Sequence, residues 1–214
     1  KEIKQKVEAA GFEWFAITAP SGTFMGNSEH HWVSDEQYLG GYDRSKMFRV
    51  GFAEEWIEKA AALGITQMRV DCMPFEMNHK IPYSDAFEFN VARNAETYQQ
   101  MCDIASEHGI EIGIENHGGF ASDMNVLGEL FDRVPDLKLT FDFGNVTDAN
   151  RYDMIEEFGH RINFAHAKAH VFADDGEEKY MDFGKIIDAL KDQGFDGWLS
   201  IEWEGPLDGN EGTR

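Results

Sequence analysis

Cysteine is almost absent from this chain. Its 214 residues hold two, Cys72 and Cys102, which give neither a disulfide framework nor a CxxC pair and suit a reducing, cytoplasmic setting. Basic residues are scarce as well. Nineteen Lys and Arg face 40 Asp and Glu, a net charge of −21, and such a surface repels phosphate backbones and argues against nucleic acid as a partner. Long apolar runs are missing. Nowhere do about 18 apolar residues follow one another, so no membrane-spanning helix is expected. No Pro-rich or Ser-rich linker interrupts the chain either, and residues 1–214 read as a single domain. With 42% hydrophobic residues there is enough apolar material for a core, which excludes a disordered chain.

One punctuation recurs. An amphipathic helical stretch ends in Gly, an apolar residue follows, and a β-rich run comes next, at Gly11-Phe12, Gly64-Ile65, Gly109-Ile110 and Gly194-Phe195. Glycine supplies the left-handed residue that ends a helix, so each copy predicts a helix turning into a strand. The reading places strands at 12–18, 66–72, 110–117, 137–143, 162–170 and 197–204. Helices fall at 2–10, 53–63, 91–108, 124–134, 151–159 and 183–193. This alternation predicts an α/β fold with a parallel sheet. The longest stretches left irregular, 19–52 and 73–90, both follow strands, where α/β barrels carry their active sites.

Strands of a parallel sheet covered on both faces should be apolar throughout. These strands depart from that in a consistent way. Ile110, Ile112 and Ile114 oppose Glu111, Gly113, Glu115 and His117; Leu137, Leu139, Phe141 and Phe143 oppose Lys138, Thr140 and Asp142; Leu199, Ile201 and Trp203 oppose Ser200, Glu202 and Glu204. The apolar faces are expected to pack on outer helices and the polar faces to point into a barrel. An unpaired charge there costs on the order of several kcal/mol, so such residues need a partner or a metal. Glu115, Asp142, His166 and Glu202 stand near the C-terminal ends of four successive strands, which converge at one mouth in a closed barrel. Three carboxylates and an imidazole suit Mn²⁺, Mg²⁺ or Co²⁺, with Zn²⁺ also admissible.

The segments Ile112-Gly113-Ile114-Glu115-Asn116-His117, Thr140-Phe141-Asp142-Phe143-Gly144-Asn145, Ala165-His166-Ala167-Lys168 and Ser200-Ile201-Glu202-Trp203-Glu204-Gly205 resemble, in order and spacing, the last four strands of the xylose isomerase-like TIM barrels, especially the sugar phosphate isomerase/epimerase group. The resemblance implies a (β/α)8 barrel of which this chain carries strands three to eight. The first two strands and the last helix would then be missing, with an open edge, and the chain would be a fragment whose N-terminus says nothing about a signal peptide. It implies Glu115, Asp142, His166 and Glu202 as ligands of a divalent metal, with Glu115 and Glu202 also as the acid and base of an isomerase or epimerase. The substrate would be a sugar, a sugar phosphate or a polyol-derived ketone, and self-association stays open. A carbon acid beside a carbonyl loses its proton only when the enediolate is stabilised, which a metal and two flanking carboxylates provide.

Departures from relatives narrow this. Ketohexose 3-epimerases carry a His where Asn145 stands and an Arg where Phe172 stands. The endonuclease IV branch needs extra histidines, including the one that Asn145 replaces. The first alternative is a metal-dependent dehydratase on the same site; behind it stand an endonuclease IV-like DNA repair enzyme and a non-catalytic sugar-binding barrel. Lys168 either neutralises a developing oxyanion or a substrate phosphate, or forms a salt bridge to Glu202 or Glu204. Asn116, His117 and Asn145 are candidate substrate contacts. Arg69 is either another or a buried structural partner of acidic residues. His30, His31, Trp32, Phe75 and His79 are candidate pocket walls, and His108 is expected at a helix end.

Overall fold

The computed structural model describes residues 2–19, 30–32, 42–71 and 75–212. Eight helices and eight strands follow one another in these residues: α1 Glu2–Ala9, β1 Ala16–Ala19, β2 His30–Trp32, α2 Tyr42–Leu63, β3 Gln67–Val70, β4 Phe75–Met77, α3 Tyr83–Glu107, β5 Glu111–Glu115, α4 Gly118–Ala121, α5 Met124–Arg133, β6 Lys138–Asp142, α6 Asp148–Phe158, β7 Ile162–Ala169, α7 Phe183–Asp192, β8 Trp198–Trp203 and α8 Gly209–Gly212. Short 3₁₀ turns at Phe143–Asn145 and Gly159–Arg161 flank α6. The four predicted helix-to-strand glycines, Gly11, Gly64, Gly109 and Gly194, take φ between 69 and 81°. That is the left-handed conformation the sequence pattern calls for.

The chain divides into two compact units, Lys1–Ile114 with Gly118–Lys138, and Glu115–His117 with Leu139–Arg214. In the first, β1 pairs parallel with β3 and β3 with β5. The short strands β2 and β4 pair parallel in a separate ladder. The core gathers around α3, whose Ala86, Val91, Ala95, Tyr98, Met101, Cys102 and Ala105 are buried. Tyr98 satisfies its hydroxyl on the carbonyl of Asp71 at 3.2 Å. Helix α5 presents Val126, Leu127, Leu130 and Phe131 to the core, and Asp123 caps it by accepting from the Asn125 N–H at 2.9 Å. Each such side chain contributes about 1.5–3 kcal/mol through its removal from water.

In the second unit, β6, β7 and β8 run parallel. Strand β7 is buried on both faces, small alanines on one side and Phe164, His166 and Lys168 on the other. Glu178 ties down the segment after β7. Its buried carboxylate accepts from the backbone N–H groups of His170, Val171, Tyr180 and Met181 at 3.2, 3.3, 2.6 and 2.7 Å.

The structure corrects several sequence expectations. The stretch 19–52 is not irregular throughout, since α2 begins at Tyr42 rather than at residue 53, and 73–90 contains β4 and the first turns of α3. Pro82 precedes α3 with an extended ψ of 147°, the conformation in which proline introduces a helix. β1 starts at Ala16, not at residue 12. On β8, Leu199 and Ile201 are 38% and 68% exposed; they were expected against outer helices, and among the described residues none buries them. Cys72 lies outside the described residues.

Candidate functional site

The second unit brings Glu115, Asp142, His166 and Glu202 together with their ligand atoms all within 4.8 Å of one another. Strand register does this. Asp142 lies opposite His166 on β7, and Lys168 lies opposite Glu202 on β8. The β6–β7 register slips by one residue between Leu139, which faces Ile162, and Thr140, which faces Phe164. Without that slip Asp142 would oppose Ala165, whose side chain points to the other face. Asn163 is the extra residue, and its buried Oδ1 accepts from the Phe164 N–H at 2.9 Å and the Thr140 hydroxyl at 3.2 Å.

Within the cluster, His166 Nδ1 is 2.8 Å from Glu115 Oε1, 3.3 Å from Glu202 Oε2 and 3.9 Å from Asp142 Oδ2. Burial favours a neutral imidazole, but Glu115 and Glu202 outweigh it and hold the His166 pKa at about 9. Burial, then the adjoining Glu202 carboxyl, pushes Asp142 above the usual carboxylate range against the pull of Lys168. The contact with His166 holds Glu202 low despite its burial. Two carboxylates and a shared cation thus divide into one group that readily takes a proton and one that resists it. Asp142 Oδ2 and Glu202 Oε2 are buried without a well-formed hydrogen bond, and in the absence of an ion their charge is met by Lys168 Nζ at 3.2 and 3.6 Å and by His166 Nδ1 at 3.9 and 3.3 Å. A hard set of three carboxylates and an imidazole with two such oxygens fits a divalent metal ion.

Lys168 is 4% exposed, with Nζ 3.0 Å from Asn145 Oδ1, 3.1 Å from Glu204 Oε1, 3.2 Å from Asp142 Oδ2 and 3.6 Å from Glu202 Oε2. The salt bridges expected of it are present, and the three carboxylates outweigh burial to raise its pKa. Gly144 makes room for its stem: a Cβ there would stand 2.7 Å from Lys168 Cδ. Asn116 is fully buried, its Nδ2 donating to the Asp142 carbonyl at 3.0 Å and its Oδ1 accepting from the Asp142 N–H at 2.7 Å. Both ends of its side-chain amide thus meet the Asp142 main chain. His117 is half-exposed, with Nδ1 3.4 Å from Glu115 Oε2. Arg69 belongs to the first unit, where it pairs with Asp71 at 3.1 Å. Phe75 is core, stacked on Tyr83 and packed against Phe120. His79 is exposed, and the side chains of His30, His31 and Trp32 lie outside the described residues. His108 caps α3 at its C-terminus, as expected.

Sequence reasoning missed Arg151. Buried in the second unit, it donates from Nε to the Phe143 carbonyl at 2.7 Å and from Nη2 to the Val146 carbonyl at 3.2 Å, bracketing the turn that carries Gly144 and Asn145. Arg151 shares the buried face of α6 with Met154, Ile155 and Phe158, so its place at the start of an i, i+3, i+4, i+7 apolar stripe was the signal that could have found it.

The sequence profile of the xylose isomerase-like TIM barrels matches residues 1–214. The chain belongs to that family. Six parallel strands with their helices are present among the described residues, fewer than the eight of a complete barrel. A solved structure described as a D-tagatose 3-epimerase-like protein matches with a TM-score of 0.71 and 23% identity over 99% of this chain and 78% of that one. The IolI protein, whose structure contains a zinc atom, matches with a TM-score of 0.63 and 16% identity over 96% and 74% of the two chains. Among curated proteins, the uncharacterised protein MJ1311 of Methanocaldococcus jannaschii is 30% identical over 123 residues, 51% of this chain. The xylose isomerase-like chain matches 42% of that relative's length. No helix among the described residues is long and apolar enough to cross a membrane.

Proposed function

We propose that this xylose isomerase-like barrel is a divalent-metal-dependent isomerase or epimerase acting on a sugar or polyol-derived ketone. The observation that carries the proposal is the convergence of Glu115, Asp142, His166 and Glu202 on one point from four different strand ends. These four residues would hold the ion, which when bound supplies charge stabilisation to a developing enediolate. Glu202, with a side chain 35% exposed, is the most open carboxylate of the cluster and is suited to accept a proton from carbon. Glu115, whose carboxylate borders half-exposed His117, is suited to return one from the other side. Lys168 supplies positive charge beside Asp142 and Glu202. Asn145 Nδ2 is buried with no acceptor and offers a donor to a substrate hydroxyl. The epimerase-like neighbour supports the sugar class and the zinc-containing one supports a metal. A cytoplasmic setting fits the scarcity of cysteine.

The test is metal analysis of the purified chain followed by a screen of ketoses, inososes and keto acids in deuterated water. Deuterium should enter the substrate at carbon without loss of water. Glu115→Gln and Glu202→Gln should each abolish exchange, and chelation should do the same. Full exchange by the double variant refutes the assignment.

A further inference from the structure

The two grips on Asp142 are unequal in kind. Gly144 donates its N–H to Oδ1 at 2.7 Å and so aims the carboxylate, leaving Oδ2 turned toward Lys168 and His166. Asn116 grips the main chain. Its amide meets the N–H and the C=O of the Asp142 main chain, as the peptide of a neighbouring strand would. Two bonds from one planar group to one residue restrain that residue against both sliding and rotation. Asn116 also directly follows Glu115. One residue therefore connects the main chain of the first carboxylate ligand to that of the second, and it is fully buried, away from solvent competition.

We infer that Asn116 is a positioning residue that sets the spacing of Glu115 and Asp142 and so preorganises the metal-ligand set. This rests on the metal-site reading above and goes beyond it, because the two bonds from Asn116 to Asp142 are made to its main chain. The chemistry of the clamp is narrow. Aspartate would turn an oxygen toward the Asp142 carbonyl, glutamine is one methylene too long, and alanine offers neither donor nor acceptor. Groups of this kind, behind the ligands, typically change metal affinity by about 10–100-fold when removed.

The experiment uses the full chain and Co²⁺, whose visible absorption reports its ligand geometry. Asn116→Ala should weaken Co²⁺ binding by about 10–100-fold, alter the absorption band, and speed amide hydrogen exchange at Asp142 in the metal-free protein. Leu127→Ala, a cavity in the first unit, serves as a purely structural lesion and should lower the melting temperature while leaving Co²⁺ affinity unchanged. If Asn116→Ala does not fold, Asn116→Asp, which keeps the shape and one acceptor and loses the donor, is read in the same way. Unaltered Co²⁺ affinity in a folded Asn116 variant, with binding by the wild type, overturns this inference and leaves the metal reading standing. A wild type that binds no Co²⁺ overturns both.

Discussion

Metal binding to this chain should release protons and strengthen steeply with pH. The perturbation is simply the addition of Mn²⁺ or Co²⁺ to the metal-free protein. A ligand imidazole must be neutral, yet Glu115 and Glu202 hold His166 protonated up to a pKa of about 9. At pH 7 about 99% of His166 is therefore cationic, which lowers the apparent affinity about 100-fold below its limiting value. The affinity should climb about tenfold per pH unit between pH 6 and 8 and level off above pH 9. Asp142, also raised by burial, steepens this dependence, whereas Glu202, held low, adds nothing. Calorimetry in buffers of differing ionisation enthalpy should give about one proton or more released per ion at pH 7. The sign for stability runs the other way in the metal-free protein. The raised His166 pKa stabilises the fold fully below its ordinary value of 6.5, and the contribution fades as pH rises through about 9. An apparent affinity that is flat from pH 6 to 8, or no proton release, would refute the charge arrangement described for the cluster.

Other perturbations test neighbouring parts of the structure. Glu178→Gln leaves the Tyr180 and Met181 N–H groups facing an amide NH₂, or the His170 and Val171 pair if the amide flips. It should cost about 2–4 kcal/mol by chemical denaturation. Burial alone would raise the Glu178 pKa, but the four donors lower it. The wild-type advantage should therefore persist above the ordinary glutamate range and disappear as pH falls through the lowered value. Gly144→Ala pushes a methyl to 2.7 Å from Lys168 Cδ and 2.9 Å from Cγ, an overpacking worth about 1–3 kcal/mol. A thermal-denaturation cycle should show most of that cost vanishing in a Lys168→Ala background. Lys168→Met removes the cation beside Asp142, Glu202 and Glu204. The metal-free melting temperature should fall, and a divalent ion should restore more of it than it adds to the wild type.

Much of the fold was legible because the signals were local. The helix-ending glycines and the period-two alternation located all six main strands to within a few residues, since each rests on backbone sterics or on one strand's two faces. The helix starts were less legible. Tyr42 to Phe52 and Tyr83 to Asn90 are mixed in polarity, so no periodic face announces them; in the second segment Ala86 and Asn90 are buried, which depends on what the helix packs against. The exposure of Leu199 and Ile201 was equally hidden, because an apolar residue states a preference for burial and not the presence of a cover. Asn116 and Lys168 carried a signal of type but not of role. An amide or an ammonium can face substrate or partner, and the contacts with Asp142 and Glu204 depend on where the fold brings those residues.

The candidate site shows the division at its sharpest. By itself the sequence determined which residues are chemically out of place: Glu115, Asp142, His166 and Glu202 are polar at strand positions that a parallel sheet would otherwise fill with apolar side chains. What it left undetermined is which residue of one strand lies beside which residue of the next. That choice was made by the one-residue slip at Asn163, which sets Asp142 opposite His166 rather than Ala165. The reason is geometric. Alternation along a strand has a period of two, so any single-residue shift in pairing exchanges the two faces. A shift between strands is a property of the pair, written in neither strand alone.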